Sequence, residues 1–253
     1  MKILLLQEFR SNWRSFRYPA FLLVVLFFAL LDPPMMVYMD EILGYFAEGM
    51  EIVIPEPTPE DVFASYLSDV SQIGILVLIF VIMGSVAREK LSGVTGWMLS
   101  KPISRWQYLA AKLIVHYTVI IIGLLACSSI AYLYTMSLLG KVSLIEALWG
   151  TIALISYIML IATLTFTFST ILNSPLQAGG LAIVVFFLSG ILNLFIANTA
   201  VADYCPNTLI GQIVPLVKGA AVPADIAGPL VVTLGLCLLL AILAGIRFAR
   251  MEL

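Results

Sequence analysis

The chain has 253 residues, of which 62% are hydrophobic and only 11% are charged, and its mean hydropathy is +1.08. A soluble domain of this length is usually about a quarter charged, because it needs a hydrated surface. The composition therefore excludes a soluble enzyme and predicts a membrane protein. The net charge of −2 decides nothing as a sum, but the distribution of charges along the chain is informative.

Six apolar stretches are long enough, or nearly so, to cross a bilayer core of about 30 Å as helices of about 20 residues. Their continuity excludes the alternating strands of a β-barrel. We therefore predict an all-α membrane protein with six transmembrane helices. The predicted spans cover residues 18–31 (or 18–39, if the helix continues past the prolines), 67–87, 109–135, 147–172, 175–202 and 226–246.

The first 17 residues predict an amphipathic helix ahead of the first span. Phe9, Trp13 and Phe16 fall on one apolar sector at helical spacing, and three arginines flank that sector. A basic helix with aromatic residues on its apolar face is typical of a segment that lies in the headgroup plane of a membrane. We expect this interfacial helix to cover residues 1–17 and the six-span domain to cover residues 18–253.

The basic residues predict the orientation of the chain. They cluster in the N-terminal arm, in residues 88–112 and at the C-terminus, and of the 13 Lys and Arg residues only Lys141 and Lys218 lie elsewhere. Cytoplasmic loops carry the excess of Lys and Arg, and an even number of spans brings both termini to one side. We therefore expect both termini in the cytoplasm and an outer segment at residues 203–225.

The first outer loop, residues 32–66, is acidic and contains no Lys or Arg. The PEPTP run at residues 55–59 predicts an extended connector, because proline favours extended backbone. We interpret the acidic residues as a solvated surface. A cation site and a docking site for a partner protein are the alternatives.

Several kinds of chemistry are absent from the sequence. His116 is the only histidine, so a multi-histidine metal site is excluded, and no P-loop motif is present. The three cysteines form no CxxC pair. We predict no catalytic residue, no metal site and no cofactor site in this chain, and we do not expect it to be an enzyme.

Ionisable residues are scarce inside the predicted spans, which argues against an ion-coupled carrier. Lys112 lies near the end of the third span, from where its side chain can reach the membrane surface. We expect His116 to be structural, with proton relay as the alternative. The threonines of the fourth span are expected to bond back to their own helix or across to a neighbouring one. Asn193, in the fifth span, is the candidate for lining a polar pathway.

The loop at residues 88–108 differs from a simple turn. It is long, it contains Gly93 and Pro102 as bending points, and it places Trp97, Met98 and Leu99 on the expected water side. Topology signalling would explain its basic residues but not these apolar ones. A docking surface for another protein explains both. Ser100–Arg105 predicts a turn followed by the start of the third span's helix.

In this loop the sequence resembles the ABC-2-type permeases, the membrane subunits of ABC transporters. The family pattern has an acidic residue, a Gly-Thr pair, a Leu-Leu-Ser-x-Pro-x-Ser-Arg run and a later Gly-Lys pair. Val94 here replaces the usual threonine and Ala111 the usual glycine. The residues that match are Glu89, Gly93, Leu99, Ser100, Pro102, Ile103, Ser104, Arg105 and Lys112.

The resemblance implies a permease that exports substrate, using ATP hydrolysed by two separate ATPase subunits, in the cytoplasmic membrane of a prokaryote. A second permease chain, identical or paralogous, would complete the transporter. ATP and magnesium would bind the ATPases, and neither a cofactor nor nucleic acid would bind this chain. The implied ATPase-coupling residues are Glu89, Gly93, Trp97, Met98, Leu99, Ser100, Pro102, Ser104 and Arg105.

Two other functions stay open at this point. One is an ABC membrane subunit that transmits force to an extracytoplasmic partner protein docked on residues 32–66. The other, from a different class, is an ion-coupled carrier or a channel.

The orientation can be tested by labelling intact cells. In a chain without its three native cysteines, we expect Glu56→Cys to react with an impermeant thiol reagent from outside and Ser92→Cys to stay unlabelled until the cells are opened. Labelling of the Ser92 variant in intact cells would reverse the predicted orientation.

Overall fold

The structure, a computed structural model, describes residues 1–46, 57–100, 103–196, 199 and 201–251, with side chains at all of these positions except 43–46 and 99. The described residues form helices and turns and include no β-strand. Six of the helical stretches are long and apolar enough to cross a membrane. The prediction of an all-α protein with six membrane-spanning helices is confirmed.

Short helices precede, interrupt and connect the long ones. In chain order the helices are α1 (Lys2–Arg14), α2 (Arg17–Val37), α3 (Met39–Phe46), α4 (Pro59–Asp69), α5 (Ile75–Ile82), α6 (Ala87–Leu91), α7 (Val94–Leu99), α8 (Arg105–Leu139), α9 (Leu144–Ile171), α10 (Pro175–Ile196), α11 (Thr208–Gly211), α12 (Ile213–Val217) and α13 (Ala227–Ala249). Spans one, three, four and five are α2, α8, α9 and α10. Span two runs from α4 to α6 (Pro59–Leu91), with a π-helical turn at Val70–Gly74, and span six is Pro223–Ala249.

Span one takes the longer of its two predicted courses. Helix α2 continues through Pro33 and Pro34 to Val37, because helices in membranes tolerate proline where neighbouring groups satisfy the freed backbone. Asp32 is therefore a buried residue of a helix and not part of a solvated loop. Its Oδ2 accepts no hydrogen bond from any residue that the structure describes.

The end of the predicted outer loop is also helical. Helix α4 begins at Pro59, and Thr58 and Asp61 form a reciprocal capping box at its first turn. Proline at the first helical position fits because its missing N–H would have no partner there. The middle of the loop, residues 47–56, lies outside the described residues.

Span four is the central helix of the bundle. Most of its residues are buried, whereas few of those in span five are. It carries no charge between Ala147 and Ile171, and glycine and alanine at Gly150, Ala153 and Ala162 let its neighbours approach closely. As predicted, its threonine hydroxyls bond back to carbonyls one turn earlier: Thr151, Thr163, Thr165, Thr167 and Thr170.

Both ends of the described chain reach the same end of the bundle. Glu8 of α1 and the last turn of α13 each contact the first turns of α8. We call this the basic end, because Arg14, Lys90 and Arg250 all lie there, and the opposite one the acidic end. The charge pattern predicts that the basic end faces the cytoplasm.

At the acidic end the segment before span six is folded, not an open loop. Helices α11 and α12 pack on α9, and α12 also packs on α4. Their apolar residues Leu209, Ile213, Leu216 and Val217 are buried. Lys218 then pairs with Asp61 at 2.6 Å. The segment therefore covers part of the acidic end of the bundle.

Two adjacent glycines in span five offer a matched test of the packing between spans two and five. A Cβ at Gly179 would lie 2.6 Å from Met83 Sδ and 3.1 Å from its Cβ, whereas a Cβ at Gly180 would meet no atom within 4 Å. We expect Gly179→Leu to cost about 1–3 kcal/mol through overpacking and Gly180→Leu to cost less. Thermal unfolding of the two purified proteins in one detergent measures this difference, and equal melting temperatures would contradict it.

Candidate functional site

The segment between spans two and three consists of two short helices joined at a glycine. Helix α6 ends at Leu91, and α7 begins directly after Gly93, whose φ of 72° lies in the left-handed region. Glycine adopts this conformation without a Cβ clash, so it can end one helix and start another within two residues. The two helices thus form a compact projection at the basic end, which we call the α6–α7 projection.

The outer surface of the α6–α7 projection is apolar. Leu91 is 66% exposed, Trp97 is 62% exposed and Val94 is 41% exposed. Met98, in contrast, is buried and faces Gln7 of α1. Large exposed apolar groups on a segment that also carries charge are typical of a surface that contacts another protein or a membrane.

A buried lysine holds the inner side of this projection. Lys112 of α8 is 2% exposed, and its Nζ donates to Glu89 Oε1 of α6 at 2.7 Å and to Glu8 Oε2 of α1 at 2.8 Å. Tyr108 donates to the other oxygen of Glu89, and its ring lies 5.2 Å from Lys112 Nζ. The ammonium group thus joins α1, α6 and α8. It does not extend to the membrane surface as the sequence suggested.

Helix α1 connects this network to the start of span one. Asn12 is buried, its Nδ2 donates to Glu8 Oε1 at 2.7 Å, and its Oδ1 accepts from Arg17 at 3.1 Å. One turn deeper, both ring nitrogens of the buried His116 are hydrogen-bonded, Nδ1 with Tyr18 and Nε2 with Ser85. His116 therefore holds spans one, two and three together.

The projection also holds the end of span four. Lys90 donates to the carbonyls of Thr170 at 2.8 Å and Leu172 at 2.6 Å. Ser169 Oγ accepts from the backbone N–H groups of Val86 and Ala87, both at 3.1 Å. The last carbonyls of a helix have no partner within it, so Lys90 satisfies groups that would otherwise be costly to bury.

Arg105 has a similar role at span six. Its guanidinium donates to the carbonyls of Phe248, Ala249 and Met251 at 3.0, 3.0 and 2.7 Å. Two neighbouring aromatic residues complete the contact. The Tyr108 ring stacks on the Phe248 ring, with 5.6 Å between their centres. Trp106 packs directly against Gly245, where a Cβ would lie only 2.0 Å from the indole ring.

The structure thus divides the residues predicted for coupling into two groups. Gly93, Trp97, Ser100 and Ser104 are exposed, whereas Glu89, Met98 and Arg105 make contacts within the chain. Ser100 bonds to the Trp97 carbonyl, and Ser104 starts α8 in a capping box with Gln107, as the predicted helix start requires. Pro102 and the side chain of Leu99 lie outside what the structure describes.

The helix predicted for residues 1–17 ends earlier in the structure. Helix α1 ends at Arg14, and Phe16 has a left-handed φ of 61° between α1 and α2, so it does not continue the apolar face of α1. Phe9 and Trp13 do share that face, and their rings stack at 5.5 Å. Both side chains are partly exposed.

Asn193 lines a groove of about 610 Å³ between spans two and five. The π-helical turn of span two places Gln72 on the same groove. Tyr157 and Asn207 lie beside them, and the Tyr157 hydroxyl donates to Asn207 Oδ1 at 3.0 Å. Asn193 Oδ1 is buried and accepts no hydrogen bond from the described residues.

Comparison with known proteins identifies the family. The family model for ABC-2 family transporter proteins matches residues 49–246. The chain belongs to the ABC-2 transporter family. It is also 30% identical over 179 residues to the uncharacterized transmembrane protein YxlG of Bacillus subtilis (strain 168), with 69% of each chain covered. The matched region of the ABC-2 family model includes the whole α6–α7 projection.

Several residues of this candidate site were not identified from the sequence. Leu91 and Val94 extend the exposed apolar surface, while Glu8, Lys90 and Tyr108 hold the projection from behind. Glu8 did carry a signal, since it is the only acidic residue before Asp32 and lies on an otherwise basic helix. Nothing in the sequence indicates the role of Lys90, because its partners are backbone carbonyls 80 and 82 residues away.

Removing the charge of Lys112 should destabilise the basic end. We expect Lys112→Met to cost about 3–5 kcal/mol, because Glu8 and Glu89 would be left close together without a cation. Thermal unfolding and the rate of tryptic cleavage within α1 measure the effect. The exposed Lys141 at the acidic end provides the control, and Lys141→Met should change neither quantity.

The triple variant Glu8→Gln, Glu89→Gln, Lys112→Met tests whether the loss of stability in Lys112→Met comes from unpaired charge or from the changed shape of the side chain. It has the same lysine replacement but no unpaired carboxylate, so it should be more stable than Lys112→Met alone. If the triple variant is as unstable as the single one, the ion cluster is not what holds α1 in place.

Proposed function

We propose that this chain is the permease subunit of an ATP-driven exporter whose ATP is hydrolysed by a separate ATPase. The observation that carries the proposal is the α6–α7 projection, which exposes Leu91, Val94 and Trp97 and is bonded through Glu89 and Lys90 to other helices. An apolar surface on a mobile loop would transmit little force. A surface fastened to the helix ends behind it can move them.

Movement of the α6–α7 projection would reach spans one, three, four and six through specific contacts. Through its ion pair, Glu89 would displace Lys112 of span three and, through Lys112, helix α1 and span one. Lys90 acts on the end of span four. The first turn of α8, through Arg105 and Tyr108, carries the motion to the end of span six. In a pair of permease chains, closure of the two ATPase subunits against the two projections would therefore change the helix packing of both chains.

The transport pathway is proposed to run along the groove that contains Gln72 and Asn193, where a second permease chain packs against spans two and five. Polar side chains that face lipid are costly, so a groove with an unsatisfied amide oxygen favours contact with polar groups of another chain or of a substrate. The small residues Ala178 and Ala182 of span five are buried within the chain, so they are not available for this contact.

In this proposal the basic end faces the cytoplasm, as its arginines and lysines favour. Two ATPase subunits bind ATP and magnesium and dock on the two α6–α7 projections. The permease pair lies in the cytoplasmic membrane of a prokaryote, and this chain provides no catalytic group.

Trp97 tests the proposed docking surface. We expect Trp97→Ala to weaken ATPase binding by about 2 kcal/mol or more, because a large aromatic anchor at the centre of a small interface contributes most of its binding energy. The tagged full chain is purified from its own membranes, and the ATPase subunit and the ATP hydrolysis that accompany it are measured. Both should fall sharply, while the yield of the permease stays constant.

Tyr204 gives a matched control, since it is an aromatic residue of similar exposure, 61%, at the opposite end of the bundle. Tyr204→Ala should leave ATPase recovery unchanged. Purified permease that carries no ATPase subunit at all would refute the proposed function. Full ATPase recovery with Trp97→Ala would instead show that docking takes place elsewhere on the chain.

A further inference from the structure

An apolar groove on the lipid-facing side of spans one and three is not explained by ATPase docking or by transport. It has a volume of about 590 Å³ and no charged residue in its lining. Its walls include Leu22 and Leu26 of span one and Val119, Ile122 and Ile130 of span three. The hydroxyl of Thr118, which also lines it, is satisfied by the Ile114 carbonyl at 2.8 Å.

The base of the groove is closed where the two helices touch. A Cβ at Gly123 would lie 2.3 Å from Leu22 Cδ2, so glycine is what permits this approach. Along span three the groove extends from Thr118 to Ile130, which is about 18 Å at the rise of an α-helix. One leaflet contributes half of a hydrocarbon core of about 30 Å, so the groove matches the depth of a single leaflet.

The groove opens toward α1 at the basic end. Phe9 and Trp13 line both the groove and a shallow hollow of about 790 Å³ along the exposed face of α1, which Arg10 and Arg14 also line. Neither arginine forms an ion pair with any residue that the structure describes. Glu8, the only carboxylate of α1, is paired with Lys112. The opening is therefore cationic and the groove below it is apolar.

We propose that this groove binds one anionic phospholipid of the leaflet at the basic end. One acyl chain lies between spans one and three, and Arg10 and Arg14 bind the phosphate. Guanidinium groups form strong paired hydrogen bonds with phosphate oxygens. The order of groups along the site, cations and aromatic rings above and uncharged, mainly aliphatic side chains below, is that of a phospholipid from headgroup to tail. Such a lipid would hold α1 against the bundle next to the Lys112 cluster.

Native mass spectrometry of the purified full chain tests the headgroup contact. Palmitoyl-oleoyl-phosphatidylglycerol and the zwitterionic phosphatidylcholine with the same chains are titrated separately. The anionic lipid should bind more tightly, and Arg10→Gln with Arg14→Gln should weaken it by about tenfold or more while leaving phosphatidylcholine unchanged. Arg247→Gln with Arg250→Gln removes the same charge from the same end, away from α1, and should have little effect.

A second pair of variants tests the groove. Ile122 is 62% exposed and lines it, whereas Ile114 is 46% exposed on the same helix and does not. Ile122→Trp should fill the groove and reduce tight binding of phosphatidylglycerol, and Ile114→Trp should not. Because both side chains face lipid, neither change should prevent folding.

Four results would overturn the proposal. Equal binding of the two lipids would mean that only a non-specific annular lipid occupies the groove. Equal losses from the Arg10 and Arg14 pair and from the Arg247 and Arg250 pair would reduce the effect to general surface charge. Unchanged binding in Ile122→Trp would place the lipid elsewhere, and a dimer that dissociates only in that variant would assign the groove to a second copy of this chain.

Discussion

A lysine ammonium group that is almost completely withdrawn from water needs acceptors around it, and Lys112 obtains them from two segments distant in sequence. Glu8 comes from the N-terminal helix and Glu89 from the segment after span two. A charge buried without such partners would cost several kcal/mol, so the three groups must come together for any of them to be buried. The position of α1 and the position of the α6–α7 projection both depend on this cluster.

The rest of the basic end follows a related constraint, which is that helix carbonyls near a membrane surface need donors. Lys90 provides them for span four and Arg105 for span six. Both donors lie in or directly after the α6–α7 projection. The projection and the first residue of α8 together therefore satisfy the ends of two spans, and the projection also exposes Leu91, Val94 and Trp97. This arrangement is the physical reason for the proposal that a partner docks at this end of the bundle and that its motion is transmitted from there.

Much of the architecture was predictable because it depends on local properties of the chain. Continuous apolar runs are sufficient to predict six spans, since a bilayer requires each backbone group to be paired within its own helix. The start of span three at Arg105 was predictable from Ser104 and the turn before it. The course of span one through Pro33 and Pro34 was left open, because whether a helix passes a proline depends on the neighbours that satisfy the freed carbonyls.

The candidate site shows where such prediction ends. The sequence by itself determined the membrane class, the number of spans, the family motif and the exposed Trp97, because composition, run length and spacing carry that information. Only the tertiary structure decided that Lys112 is buried between two carboxylates, that Arg105 binds the end of span six, and that Phe16 leaves the apolar face of α1. The first two facts concern partners up to 146 residues apart, and a side chain's choice among distant partners is decided by packing, not by its own sequence neighbourhood.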